Sequence, residues 1–121
     1  MSIPEAYTTF KNLKNIIVDK ENPAYSDVDG VLYNKDKSIL IKYPDGKTQE
    51  SYEIPESVKI IERMAFSGAE NLRYLTVPKS VKHICYAAFF SEDYDSLTIR
   101  CRENSVAHAY AIENEVKFEF I

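Results

Sequence analysis

The chain has 121 residues, 45% hydrophobic and 28% charged, the balance of a globular protein and not of a disordered or fibrous one. At this length one domain over residues 1–121 with one core is expected, burying roughly two-thirds of the extended chain's surface. Fifteen Lys and Arg against nineteen Asp and Glu give a net charge of −4 with no basic cluster to neutralise phosphates, and no stretch nears the about eighteen apolar residues of a membrane span. Nucleic acid binding and membrane insertion are therefore not expected.

Residues 1–18 read as a truncated repeat. Ile3-Pro4 opens it, and Leu13, Ile16 and Val18 close it in an L-x-x-L-x-L spacing that returns twice further on. The unit is short, because Phe10 lies three residues before Leu13 whereas Phe66 lies six before Leu72. The opening MSIPEAYTTFKNLKN has no uninterrupted apolar stretch, so no export signal is expected within the chain.

Residues 19–53 break the period and read as a β-meander insertion. Asp29-Gly30 stands between Ala24–Val28 and Val31–Tyr33, a hairpin signal because both turn residues must take positive φ. Turns at 34–38 and 44–47 bracket a strand at 39–43. Ser26 to Gly30 has the acidic spacing of a calcium loop, but that register puts Tyr25 at position 1 and Asp36 at position 12, where the geometry needs a carboxylate and a bidentate Glu. A plain hairpin turn is the better reading.

Residues 54–76 and 77–99 are two successive repeats. An offset of 23 residues superimposes Pro55 on Pro78, Ser57 on Ser80, Val58 on Val81, Lys59 on Lys82, Ile61 on Ile84, Ala65 on Ala88 and Phe66 on Phe89. Each copy ends in the leucine pattern, as Leu72, Leu75 and Val77 and then, with one residue deleted, as Tyr94, Leu97 and Ile99. This is the signature of a leucine-rich repeat, whose single unit cannot bury its apolar face and so stacks on its neighbours. Leu75 and Val77, two apart on a strand, face inward with Tyr74 and Thr76 outward. Val58, Ile61, Ala65 and Phe66 are spaced for a turn of strand entering a short helix, and Phe66 and Phe89, at one repeat position, should stack in the core.

Residues 100–121 follow no repeat template and read as a cap. Asn104 or Ser105 is placed to begin a helix whose buried face carries Val106, Ala107, Tyr110 and Ala111, followed by a last strand. A solenoid needs such a terminal unit, with a polar outer face, to cover its ladder end. The expected fold class is α+β, mainly β: a short leucine-rich-repeat solenoid of about 23-residue units with a β-hairpin/meander insertion and a C-terminal helix-strand cap.

The two repeats resemble the BspA-type leucine-rich repeats of bacterial surface proteins: Ile-Pro, Val, Ile, Ala-Phe, then Leu-x-x-Leu-x-Ile. Asn22-Pro23-Ala24-Tyr25, Asp29 to Tyr33 and Leu40 to Pro44 resemble an insertion of the longer family members, so the likeness runs from Leu13 to Ile121. The chain departs from the pattern at Cys85 and Glu62, where the family commonly has Gly, and in lacking the family Cys after Phe. The resemblance implies a cell-surface or secreted adhesion or host-contact protein.

Catalytic chemistry finds little material. His83 and Cys85 share a strand face without an orienting third group, so an exposed strand histidine is expected, and His108 is expected to be solvated. Two cysteines and two histidines are poor metal-site material, and three glycines form no phosphate loop, so no enzyme activity, metal or cofactor is expected. Cys85 and Cys101 are read as free thiols, a single bridge being the alternative. Nine Tyr suit half-buried strand positions.

The leading functional expectation is a monomeric module binding a protein or glycan on the outer strand face. If the first strand lies beside the second, that strip is Asn15, Ile17 and Asp19, then Tyr74 and Thr76, then Ser96, Thr98 and Arg100. Tyr74 and Arg100 are the favoured contacts, being residue types enriched at binding hot spots. The alternative is a structural spacer or fragment of a larger surface protein.

Overall fold

In the computed structural model, which describes residues 14–85, 88–89 and 96–121, Asp29 and Gly30 turn the chain with φ of 53° and 80°. That turn joins β1 (Tyr25–Val28) to β2 (Val31–Asn34), antiparallel with Val28 opposite Val31, as an Asp-Gly pair between apolar runs predicts. A second turn, with Lys37 at φ 62°, leads to β3 (Ile39–Lys42); the Asn34 side-chain oxygen accepts the Ile39 N–H at 2.9 Å and holds the corner.

From β3 onward the meander reading gives way. β3 pairs in parallel with β5 (Ile60–Ile61), which pairs in parallel with β7 (His83–Ile84), so one sheet runs β1-β2-β3-β5-β7. A second, wholly parallel sheet runs β4 (Ser51–Glu53), β6 (Tyr74–Thr76), β8 (Thr98–Cys101), β9 (Lys117–Phe120). Residues 39–53 thus contribute one strand to each sheet. They take the places of a repeat because Leu40 and Tyr52 supply the inward side chains that Ile61 and Leu75 supply next door.

Ser51 lies beside Tyr74 and Ile60 beside His83, each 23 residues on, the offset read from the sequence. The last repeat is different: Leu75 lies beside Ile99 and not beside Leu97, so this copy is one residue longer than 23, where one residue fewer was expected. The error is a slip of two positions. Because side chains alternate with period two, Leu97 and Ile99 are both buried regardless. Leu13 and Tyr94, also assigned to the leucine pattern, lie outside the described residues, as do Ile3-Pro4 and Phe10.

The helix expected between Val58 and Phe66 is absent; after β5 the chain runs in turns, with Met64 at φ 61°. The reason lies in where the backbone hydrogen bonds go. Tyr43 donates to the Ala65 carbonyl and Phe66 to the Ala88 carbonyl, both at 2.8 Å, so this wall is tied to neighbouring copies and not to residues four back along itself. These bonds stack an aromatic column between the sheets: Tyr52–Tyr43 at 5.2 Å, Tyr43–Phe66 at 5.2 Å, Phe66–Phe89 at 5.1 Å with rings 14° apart, and Phe89–Tyr110 at 5.4 Å. The Phe66–Phe89 stack is the one the repeat register called for.

α1 (Val106–Glu113) begins where expected, with Ser105 at its N-cap accepting the His108 N–H at 3.2 Å, and it buries Ala107 and Ala111. Val106 and Tyr110, expected on the same face, are half-buried. A charged pair lies inside: Lys42 Nζ is 2.9 Å from Asp45, and it also reaches the Ser67 hydroxyl and the Met64 carbonyl. Gly68 is required there, since a Cβ would stand 2.3–2.7 Å from the Asp45 carboxylate.

Candidate functional site

Strand alternation sorts the parallel sheet into an inner and an outer face. Tyr52, Leu75 and Ile99 point into the core, which leaves two outward rows: Ser51, Tyr74, Thr98 and Lys117 in one, and Glu53, Thr76, Arg100 and Glu119 in the other. Arg100 leans diagonally across the strands, with its guanidinium carbon 4.2 Å from the centre of the Tyr74 ring. Its Nε donates to Glu119 Oε1 at 2.7 Å. Both partners of that ion pair are well exposed, so it adds at most about 1 kcal/mol to stability, and the stacking a similar amount. Their effect is on conformation: a long side chain is placed over a ring.

Of the strip expected from the sequence, Tyr74, Thr76, Thr98 and Arg100 come together here. The two-residue slip sets Tyr74 beside Thr98 and Thr76 beside Arg100, and leaves Ser96 half-buried ahead of β8. Asn15, Ile17 and Asp19 are elsewhere. They are exposed between half-buried Ile16 and Val18, so the alternation is right, but Ile16 donates to the Gly30 carbonyl at 2.8 Å and Val18 to Asp27 Oδ2 at 2.6 Å. That segment lies along the β1–β2 hairpin, and β4 occupies the place beside β6 that it was expected to fill.

Ser51 and Glu53 of β4 and Lys117 and Glu119 of β9 are strip residues that the sequence reasoning missed. A signal for β4 existed, because stepping 23 residues back from Leu75 lands on Tyr52, its partner in the sheet. Asn15 and Ile17 instead line an open cleft of about 400 Å³ with Asp27, Asp29, Lys47 and Gln49. Asp27 there is already engaged by the Val18 N–H.

Burial, reinforced by nearby Glu62, pushes the Cys85 thiol up, opposite to the shift that activates a nucleophile. Burial also raises Cys101, partly offset by a hydrogen bond with Ser105, and both cysteines are free. His83 is exposed on β7. His108 departs from expectation: it is half-buried, with rings of Phe118 and Phe120 at 5.0 and 4.9 Å, and its Nδ1 accepts the Asn104 N–H at 2.9 Å.

Comparison with known proteins agrees with this architecture. A leucine-rich repeat protein from Eubacterium ventriosum is similar with a TM-score of 0.71 and 34% identity, over 78% of this chain and 25% of that one. The pneumococcal vaccine antigen PcpA shares the fold at a TM-score of 0.53 and 16% identity, over 89% of this chain and 50% of the antigen. The chain thus spans a quarter to a half of these structures. No curated protein matches it. The family model for the BspA type leucine rich repeat region, in six copies, matches residues 43–118, from the Tyr43 aromatic position to β9, and the chain belongs to the BspA-type leucine-rich repeat family.

Proposed function

We propose that this chain is a short leucine-rich-repeat solenoid of about 23-residue units, capped by α1 and β9, which acts without catalysis as a protein-binding module at the bacterial surface. The observation that carries the reading is Arg100 held over the Tyr74 ring and tied to Glu119 on an otherwise polar sheet face. Tyr and Arg supply much of the energy at protein interfaces, and a pre-ordered pair loses less entropy when a partner docks. Between the two ligand classes that the sequence left open, the geometry favours protein. Arg100 covers a face of the Tyr74 ring on which a sugar would stack. The family's association with bacterial surfaces supports the location.

A second reading, a structural spacer within a larger surface protein, draws support from the chain spanning a quarter to a half of the structures it resembles. One experiment separates these readings. The immobilised chain and its Tyr74→Ala/Arg100→Ala variant are screened against secreted and surface proteins and against a glycan array, after circular dichroism establishes that both fold. A protein ligand bound by the wild type and weakened about tenfold or more by the double variant is the expected result. A ligand kept at full affinity moves the site off this face, glycan binding alone would overturn the preference for protein, and no ligand in either screen favours the spacer.

A further inference from the structure

Two lysines are buried among the described residues, and their charges are met differently. Lys42 has the Asp45 carboxylate at 2.9 Å, with the Ser67 hydroxyl and the Met64 carbonyl beside it. Lys47 is only 9% exposed, yet its ammonium forms no hydrogen bond or ion pair with any of the described residues. Its backbone is tied on both sides: the N–H donates to the Pro44 carbonyl at 3.2 Å, and the carbonyl accepts the Asn71 side-chain amide at 3.0 Å. A buried charge left without a partner is costly, and a fold keeps such a breach of its own packing rules where something else is to be bound.

Lys47 lines the open cleft of about 400 Å³ beside the β1–β2 hairpin, facing groups of the opposite sign. Asp27 spends one carboxylate oxygen on the Val18 N–H, at 2.6 Å, and keeps the other. Asp29 is exposed, and its carboxylate accepts no hydrogen bond from the described residues. The amides of Asn15 and Gln49 add donors and acceptors, and Ile17, 87% exposed, adds an apolar margin. The wall is firm on the hairpin side. Ile16 donates to the Gly30 carbonyl at 2.8 Å, and Asn15 packs so closely on the turn that a Cβ at Gly30 would collide with its Oδ1.

We infer that this cleft binds a small zwitterion, a free amino acid or short peptide whose carboxylate is taken by Lys47 and whose ammonium is taken by Asp27 and Asp29. The mixture of charges makes the choice. A bare cation would be opposed by Lys47, and an inorganic anion by the two aspartates, whereas a ligand carrying one charge of each sign answers both. Each contact is then a charge-assisted hydrogen bond, Lys47 donating to the ligand's carboxylate and the ligand's ammonium donating to the aspartates. The volume lies toward the small end of the about 300–1,000 Å³ of ligand pockets, so the occupant is a small one, its side chain lying along Ile17. The cleft shares no residue with the Tyr74–Arg100 strip, and its occupancy neither needs nor tests a partner there.

The test is a titration of the nitrogen-15-labelled 121-residue chain with alanine and with alanyl-alanine to about 20 mM, a range suited to the weak affinity of so few contacts. One or both should give saturable amide shifts at Asn15, Gly30, Lys47 and Gln49, and the tighter of the two fixes the length of the ligand. Blocking either end, as N-acetylalanyl-alanine or as alanyl-alanine amide, should weaken binding about tenfold or more. Lys47→Met keeps the buried stem and should weaken the free zwitterion to a similar extent, while leaving the amide form bound as wild type binds it. Asp29→Asn, an exposed change that leaves the core untouched, should weaken the free zwitterion but not the acetylated form. The inference is overturned if neither zwitterion gives saturable shifts, if the blocked forms bind as tightly as the free ones, or if Asp29→Asn and a folded Lys47→Met both bind as wild type does. It is overturned equally if calcium chloride or sodium phosphate alone reproduces the shifts in place of the zwitterions.

Discussion

Tyr43 places a hydroxyl inside the column of rings, where its oxygen is buried and has no hydrogen-bond partner among the described residues. Next to it, Tyr33 and Tyr52 solve the same problem by bonding hydroxyl to hydroxyl. Burial pushes all three phenols up, Tyr43 to about 12. A phenol whose folded value lies above the unfolded value of about 10 stabilises the fold fully below pH 10, and that contribution is lost as pH rises through the folded value. Urea midpoints should therefore fall between pH 10 and 12. Tyr43→Phe keeps the ring and removes the unpaired oxygen, so at pH 7 it should be neutral or stabilising by about 1 kcal/mol, and its decline above pH 10 should be shallower. A loss of stability at pH 7 would mean that the Tyr43 hydroxyl is paired after all.

Among elements, the turn wall carries the aromatic column while the short strands carry the ladder, and neither is stable without the next copy. Phe89 is the most exacting position, because it touches Phe66 on one side and Tyr110 of α1 on the other and so joins repeat to terminal unit. Phe89→Ala should cost about 3–5 kcal/mol and lower the melting temperature by about 10 °C or more; an unchanged melt would refute the register. That register was legible in the sequence because proline, alanine and phenylalanine recur at fixed offsets, and the hairpin was legible because Asp29-Gly30 has few other uses. The missing helix was not, since Ala65 and Phe66 suit a helix and a turn wall equally, and only bonds to residues 22 positions away, such as Phe66 to Ala88, decide between them. β4 escaped because three residues with one inward Tyr52 make too short an alternation to notice. Asn15, Ile17 and Asp19 were misplaced because alternation reports which way a side chain points, never which strand lies alongside.

At the scale of the whole molecule, α1 packs against β8 while β9 pairs with it. Removing residues 102–121 deletes α1 and β9 together, which uncovers Ile99 and Cys101 on the inner face of β8 and strips Tyr110 from Phe89. Ile99, Cys101 and Phe89 are fully or almost fully buried in the intact chain, and burying one large apolar side chain is worth about 1.5–3 kcal/mol, so the loss is comparable with the total stability of a small domain. The truncated chain should fail to melt cooperatively and should elute as aggregate. The intact chain is the control and should remain soluble and cooperatively folded. If the truncation matches the intact chain in elution and melting, residues 102–121 are dispensable and the core closes on β8.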